Sequence, residues 1–113
     1  MLTKKELLIL FFISSEPGIR DIYTLFKIFD KADFPANISK NIVELLKSNL
    51  IIVFENFENG TAKNYEITEK GKVVLKNYFI DSEIIEFVKE MPEPNFITEL
   101  TENYIIKKNN LKI

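Results

Sequence analysis

The stretch that decides the fold runs from residue 38 to residue 51 and reads Ile38-Ser-Lys-Asn-Ile-Val-Glu-Leu-Leu-Lys-Ser-Asn-Leu-Ile51. Apolar residues recur in it at three- and four-residue steps, which places them on one face of a helix: Ile38, Ile42, Leu45, Leu46 and Leu50. Asn37 is a favourable N-cap residue. Asn49 favours an end to the helix, because Asn readily takes the left-handed conformation there. The stretch therefore predicts an amphipathic helix that leads directly into a β-strand.

A β-hairpin is expected next. Residues 51–58 are mostly β-branched or aromatic, and Asn59-Gly60 is a strong signal for a two-residue turn, so residues 61–67 form the return strand. Thr68 then caps a fourth helix in which the early Gly71 suggests close packing. The expected buried face of that helix comprises Val73, Val74 and Tyr78, with Leu75 and Phe79 as further candidates.

Two helices precede this region. Residues 4–15 are predicted to form the first helix. Thr3, directly before them, and Glu6 have the spacing of a capping box. Seven apolar residues, 7–13, then cover every direction around that helix, so either its own domain encloses it or a second subunit shares it. Residues 19–31 form the second helix, whose predicted apolar stripe comprises Ile19, Ile22, Tyr23, Phe26 and Phe29.

Beyond residue 80 the chain continues as helix. A fifth helix begins at Asp81 or Ser82 and carries an apolar stripe as far as Met91. Pro92 and Pro94 end it, and residues 96–106 are expected to form the last helix. The amphipathic stretches at 82–91 and 96–106 offer more apolar surface than a small three-helix core with a hairpin readily covers.

Composition excludes several functional classes. The 113 residues suit one domain, and 15 basic against 17 acidic side chains give a net charge of −2. The chain has no Cys and no His, which removes disulfides, thiolate or imidazole metal sites and the commonest general acid-base residue. The remaining carboxylate pairs, such as Asp30 with Asp33, have a spacing that is common on wet surfaces. We therefore expect no enzyme, no metal site and no cofactor.

The location expected from the sequence is the cytoplasm. The apolar run at residues 7–13 is much shorter than the roughly 20 residues of a membrane-spanning helix. It is also not followed by the small-residue cleavage site of a secretory signal. We therefore interpret the run as part of a protein core and expect no membrane partner.

The order of elements resembles a winged helix-turn-helix domain, and in particular the MarR and PadR groups of bacterial and archaeal transcriptional regulators. Residues 38–51 are similar to a recognition helix that leads into a wing, and Asn64-Tyr-Glu-Ile-Thr-Glu-Lys-Gly71 is similar to the end of that wing. The resemblance covers about residues 4–80. It implies an α+β, mostly α fold, with a winged-helix domain at 1–80 and a C-terminal helical extension at 81–113 that serves dimerisation.

The resemblance also implies that the third helix lies in the major groove of duplex DNA while the hairpin touches the flanking backbone. The candidate contact residues are Asn37, Ser39, Lys40, Asn41, Glu44 and Lys47 on that helix and Lys63 on the wing. The lysines could hold phosphates or guanine edges, and the asparagines could read adenine. Glu44 could accept a hydrogen bond from a cytosine amino group or repel the backbone.

Two functions remain open at this point. The first is a transcriptional regulator that binds duplex DNA as a homodimer, formed through helix 1 and the C-terminal segment, with an effector that no residue identifies. The second is a winged-helix module for protein interaction, because residues 35–80 carry six basic and five acidic side chains and are nearly neutral. DNA affinity depends heavily on phosphate neutralisation, so the local charge of the third helix discriminates between them.

Overall fold

A computed structural model of the chain describes residues 2–15, 22–35, 37–56 and 63–110. These ranges contain six helices and one two-stranded antiparallel sheet. The elements in chain order are α1 (Lys4–Ser14), α2 (Ile22–Lys31), α3 (Ile38–Lys47), β1 (Ile51–Asn56), β2 (Lys63–Ile67), α4 (Glu69–Tyr78), α5 (Asp81–Lys89) and α6 (Pro94–Asn110). The expected α+β, mostly α class is confirmed at this level of detail.

Helix caps form where the sequence predicts them. The amide of Glu6 donates to Thr3 Oγ1 at 3.1 Å while the Thr3 amide donates to Glu6 Oε1 at 3.0 Å, which completes the capping box of α1. Thr68 Oγ1 accepts from the amide of Gly71 at 3.0 Å at the start of α4. Asn49 has a φ of 60°, the left-handed conformation expected after α3.

The hairpin pairs β1 with β2 in a register that runs from Ile51 opposite Ile67 to Asn56 opposite Lys63. An irregularity between Val53 and Glu55 interrupts this register. Such a bulge bends a strand and increases its twist. The predicted Asn59-Gly60 turn lies outside the described residues, as does the first turn predicted for the second helix at residues 19–21.

Helix α1 lies at the centre of the core. Every residue from Leu7 to Ile13 is at most 6% exposed, and the helix contacts β2, α3 and α4. Of the two alternatives for this helix, enclosure by its own chain is therefore the one that the structure shows. The expectation that helix 1 forms part of a dimer interface needs correction, because α1 has no uncovered apolar face to offer a second subunit.

The C-terminal helices belong to the same core. Ile84, Val88 and Ile97 are fully buried, α5 packs on α6, and α6 contacts α2. The amide of Glu93, between α5 and α6, donates to the carbonyl of Ala32 at 3.1 Å. The C-terminal segment is therefore attached to the rest of the chain through apolar packing as well as through the backbone.

Two predicted apolar stripes are wrong in part. Tyr23 and Phe26 on α2 are 55% and 40% exposed, and Val73 and Tyr78 on α4 are 55% and 65% exposed. On α2 the predicted Phe29 is buried, and Leu25 and Ile28 are buried with it, because that stripe faces the neighbouring helices. On α4 the core-facing side follows Gly71 and continues through the half-buried Val74 and Leu75. When a helix carries two apolar stripes, the apolar character of its residues does not determine which stripe is buried.

Gly71 confirms the predicted close packing. A Cβ atom at this position would meet the carbonyl oxygen of Leu50 and would lie 2.7 Å from Ile67 Cγ1. The first turn of α4 therefore approaches the end of the hairpin at a distance that only glycine permits. Among the described residues, no helix combines the length and apolar character needed to cross a membrane.

Candidate nucleic-acid interface

Helix α3 divides into an inner and an outer face as its sequence predicts. Ile38, Ile42 and Leu45 are at most 2% exposed and fix the inner face in the core. The outer face is exposed and carries Asn37, Ser39, Lys40, Val43, Glu44, Lys47 and Ser48. Since the apolar stripe holds the inner face against the core, the outer face is a rigid polar surface.

Two lysines dominate the charge of this outer face. Lys40 and Lys47 are seven residues apart, which places them on the same side of the helix about 10 Å apart along its axis. Neither lysine side chain has a hydrogen bond or an ion pair with any residue in the described ranges. Glu44 lies between them, three or four residues from each. The outer face therefore alternates in charge and carries a small positive excess.

The asparagines differ in how available they are. Asn37 Oδ1 accepts from the amide of Lys40 at 3.2 Å, so this oxygen serves as the N-cap of α3. A two-bond contact with adenine uses the oxygen and the amide nitrogen together, so it would compete with the cap. Asn41 is half-buried, whereas Ser39 is exposed. The predicted N-cap role of Asn37 is confirmed, whereas its contact with adenine stays a prediction.

The hairpin predicted to form the wing is described only near the body of the protein. The backbone of Lys63 pairs with Asn56, which places the residue at the outer end of the described hairpin. The side chain of Lys63 and the tip at residues 57–62 lie outside the described residues. The predicted contact by Lys63 therefore stays a prediction.

The two lysines of α2 lie in different places. Lys27 lines a groove of about 420 Å³ together with Phe34, Pro35 and Ile38, which places it beside the beginning of α3. Lys31 lies instead over the ring of Phe96, with its Nζ 4.3 Å from the ring centroid. Lys27 therefore extends the basic surface of α3, whereas Lys31 is directed toward α6.

Sequence reasoning missed two lysines that hold α3 in place. Lys5 Nζ donates to the carbonyl of Pro35 at 2.8 Å and lies 5.0 Å from the centroid of the Phe34 ring. Lys70 Nζ donates to the carbonyl of Ser48 at 3.1 Å. A cation at this carbonyl is favourable, because the C-terminal end of a helix carries partial negative charge. The only local signal for Lys70 is its place in the Thr-Glu-Lys-Gly motif.

Glu44 has cations close by that the sequence pattern did not reveal. It lines a groove of about 580 Å³ with Lys4 and Lys70, which come from the beginnings of α1 and α4. Glu6 lines the same groove, so its two lysines and two glutamates balance. Lys70, which donates to the Ser48 carbonyl, adds one positive charge beside the end of α3.

No family model, curated protein or solved structure matches this chain. Within the described ranges, no group of three or more acidic side chains is arranged to hold a metal ion.

Proposed function

We propose that this chain is a winged-helix transcriptional regulator that binds duplex DNA as a homodimer. The observation that carries the proposal is the outer face of α3, where Lys40 and Lys47 are exposed while the opposite face is fixed in the core. A hairpin follows α3 directly, as a wing does in domains that place a recognition helix in the major groove.

The side chains of the outer face suit several kinds of contact. Lys40 and Lys47 bind phosphates or guanine edges, and Ser39 donates to a phosphate. Val43 is 46% exposed in the middle of this face, where it packs against a thymine methyl group. The side-chain amide of the half-buried Asn41 donates a hydrogen bond to the DNA. This combination supports both positioning on the backbone and some reading of the bases.

The small number of lysines available for phosphate contacts requires that two copies of the chain bind DNA together. Each phosphate that a protein neutralises contributes about 0.9 to the slope of log affinity against log salt. Lys40, Lys47 and Lys27 supply about three such contacts per copy, with the Lys63 contact still to be tested. A dimer doubles this number and reaches the range at which specific regulators bind.

The proposed dimer forms through the C-terminal helices. Ile106 is 55% exposed on α6 and lines a depression between α5 and α6 together with Ile85 and Ile105. Because the apolar residues of α1 are buried, we place the dimer contact on this surface of α5 and α6 and not on helix 1. A two-fold arrangement of this kind uses the same surface on both copies.

The test is a titration of duplex DNA at several salt concentrations, with the mass of the protein measured by light scattering. We expect salt-dependent binding by a dimer, and a weaker affinity and shallower salt slope for the Lys40→Gln/Lys47→Gln double variant. Lys72→Gln/Lys76→Gln on α4 is the matched control, because it also removes two exposed lysines, and neither lies on α3 or in the depression between α5 and α6. Binding that is absent at low salt, or that the double variant leaves unchanged, contradicts the proposal.

One observation favours a second candidate, a module for protein interaction. Tyr23 and Phe26 are exposed on α2 and form an edge-to-face pair with ring centroids 6.2 Å apart. Exposed aromatic side chains are enriched in protein interfaces. The same titration separates the two functions, since only the regulator binds DNA through Lys40 and Lys47.

A further inference from the structure

A second concave surface lies away from α3 and from the hairpin. A groove of about 740 Å³ lies between α1, α4, α5 and the end of α6, and we call it the α4–α6 groove. Its apolar lining includes Phe11, Leu75, Phe79 and Ile84. Phe11, Phe79 and Ile84 are at most 4% exposed, so this lining is anchored in the core. The accessible apolar floor of the groove therefore consists of the half-buried Leu75 and of Ile80, which is 53% exposed.

The rim of the α4–α6 groove is basic. Lys72 and Lys76 come from α4, and Lys108 comes from α6. Asp81 is the only acid among the described residues that line the groove, and it pairs with Lys108 at 2.7 Å. This ion pair leaves the positive charges of Lys72 and Lys76 uncompensated by any other acid of the lining.

Lys72 and Lys76 are close enough on α4 to contact the same anionic group. Residues four apart on a helix are neighbours on its surface, with Cβ atoms about 6 Å apart. Lys72 pairs with Glu69 at 3.3 Å, but the Glu69 side chain is 90% exposed, so exchanging this contact for another anion costs little. Lys76 has no ion pair with a residue in the described ranges. A single carboxylate is thus accessible to both ammonium groups.

We propose that the α4–α6 groove binds an amphipathic carboxylate, with the charged group on Lys72 and Lys76 and the apolar body on Leu75 and Ile80. The volume lies within the range of small-molecule sites, which combine an apolar lining with a few convergent polar groups. An inorganic anion would leave the floor uncovered, and a neutral apolar molecule would leave the lysines unpaired. No residue of α3 or of the hairpin lines the groove, so this inference does not depend on DNA binding.

The test uses octanoate as the probe and octan-1-ol as its uncharged counterpart. Titrations are followed by NMR of isoleucine methyl groups in the full chain. We expect octanoate to shift the signals of Ile80 and Ile84, which line the groove, and to leave the signal of Ile42 on α3 unchanged. We expect octan-1-ol to bind about tenfold more weakly, because it cannot pair with the lysines.

A matched pair of variants locates the charged group. Lys72→Gln/Lys76→Gln should weaken octanoate binding about tenfold and leave octan-1-ol binding within about twofold. Lys89→Gln, outside the groove, should change neither. Failure of octanoate to shift Ile84 would overturn the proposal. So would equal binding of the two probes, or octanoate binding that the double variant retains, because each outcome assigns the contact to apolar surface alone.

Discussion

The ring of Tyr104 on α6 lies edge-on against the ring of Phe12 on α1, with the two centroids 6.2 Å apart. Phe12 is fully buried, and Tyr104 is partly buried against the core. The last helix of the chain thus closes over its first helix. This contact explains how a helix with apolar residues on all sides is enclosed by a single copy.

Replacing Tyr104 by Ala should destabilise the protein by about 2 kcal/mol, because the change removes a half-buried ring and its aromatic pair with Phe12. Tyr104→Phe keeps the ring and should retain most of the stability. Urea unfolding at pH 7 measures both. Ile106→Ala, on the exposed side of α6, is the control and should change the unfolding free energy of the monomer by less than about 0.5 kcal/mol.

Gly71→Ala should destabilise the protein by about 1–3 kcal/mol, because the added methyl group overlaps the Leu50 carbonyl and the Ile67 side chain. This result is opposite to the usual gain of glycine-to-alanine changes within helices. Asn77→Ala, at an exposed position of the same helix, provides the comparison and should be neutral or slightly stabilising. A stabilised Gly71→Ala variant would show that the hairpin end does not lie against α4.

Thr68→Ala should cost about 1–2 kcal/mol, because it removes two hydrogen bonds at once. The Thr68 hydroxyl accepts from the Gly71 amide at 3.0 Å and donates to the Asn49 carbonyl at 2.7 Å. Thr68→Ser keeps both bonds and should retain nearly all of the stability. Thermal unfolding followed by circular dichroism tests this ranking, and equal losses in the two variants would contradict it.

Stability should fall as the pH rises above 10. Burial raises the pKa of Tyr65 above its ordinary value of 10.0, because the charged form is poorly solvated. The folded state then holds this proton more tightly than the unfolded state, so its contribution is complete below pH 10 and is lost as the pH rises through the folded pKa. The comparison is the unfolding free energy at pH 8 and pH 11 for the wild type and for Tyr65→Phe, whose pH slope should be smaller.

Glu44→Gln tests how α3 meets DNA. If the dominant effect of Glu44 is repulsion of phosphates, the variant should bind all duplexes more tightly, by up to about fivefold. That is the outcome we expect. Weaker binding confined to the preferred sequence would instead indicate a contact with a cytosine amino group. Ser48→Ala, one turn away on the same exposed surface, serves as the uncharged control.

The local structure of α3 is predictable from sequence, because the N-cap Asn37, the apolar stripe and Asn49 at the end all indicate the same helix bounds. Helix α2 is different, since it carries two competing apolar stripes and only its packing against α3 and α6 decides that Tyr23 is exposed. The cations around Glu44 come from distant parts of the chain, as does Lys108 beside Lys72 in the α4–α6 groove. Pattern and propensity report on neighbours along the chain, so such groupings appear only in three dimensions.

The enclosure of α1 has a consequence for synthesis on the ribosome. This helix emerges before its partners, which include β2, α4 and Tyr104 on α6. Until those partners emerge, its apolar run from Leu7 to Ile13 lacks the surfaces that cover it in the native state. Chaperones bind exposed apolar segments of this kind, which aggregate when chaperones are absent. The nascent chain should thus depend on such protection until α6 has emerged.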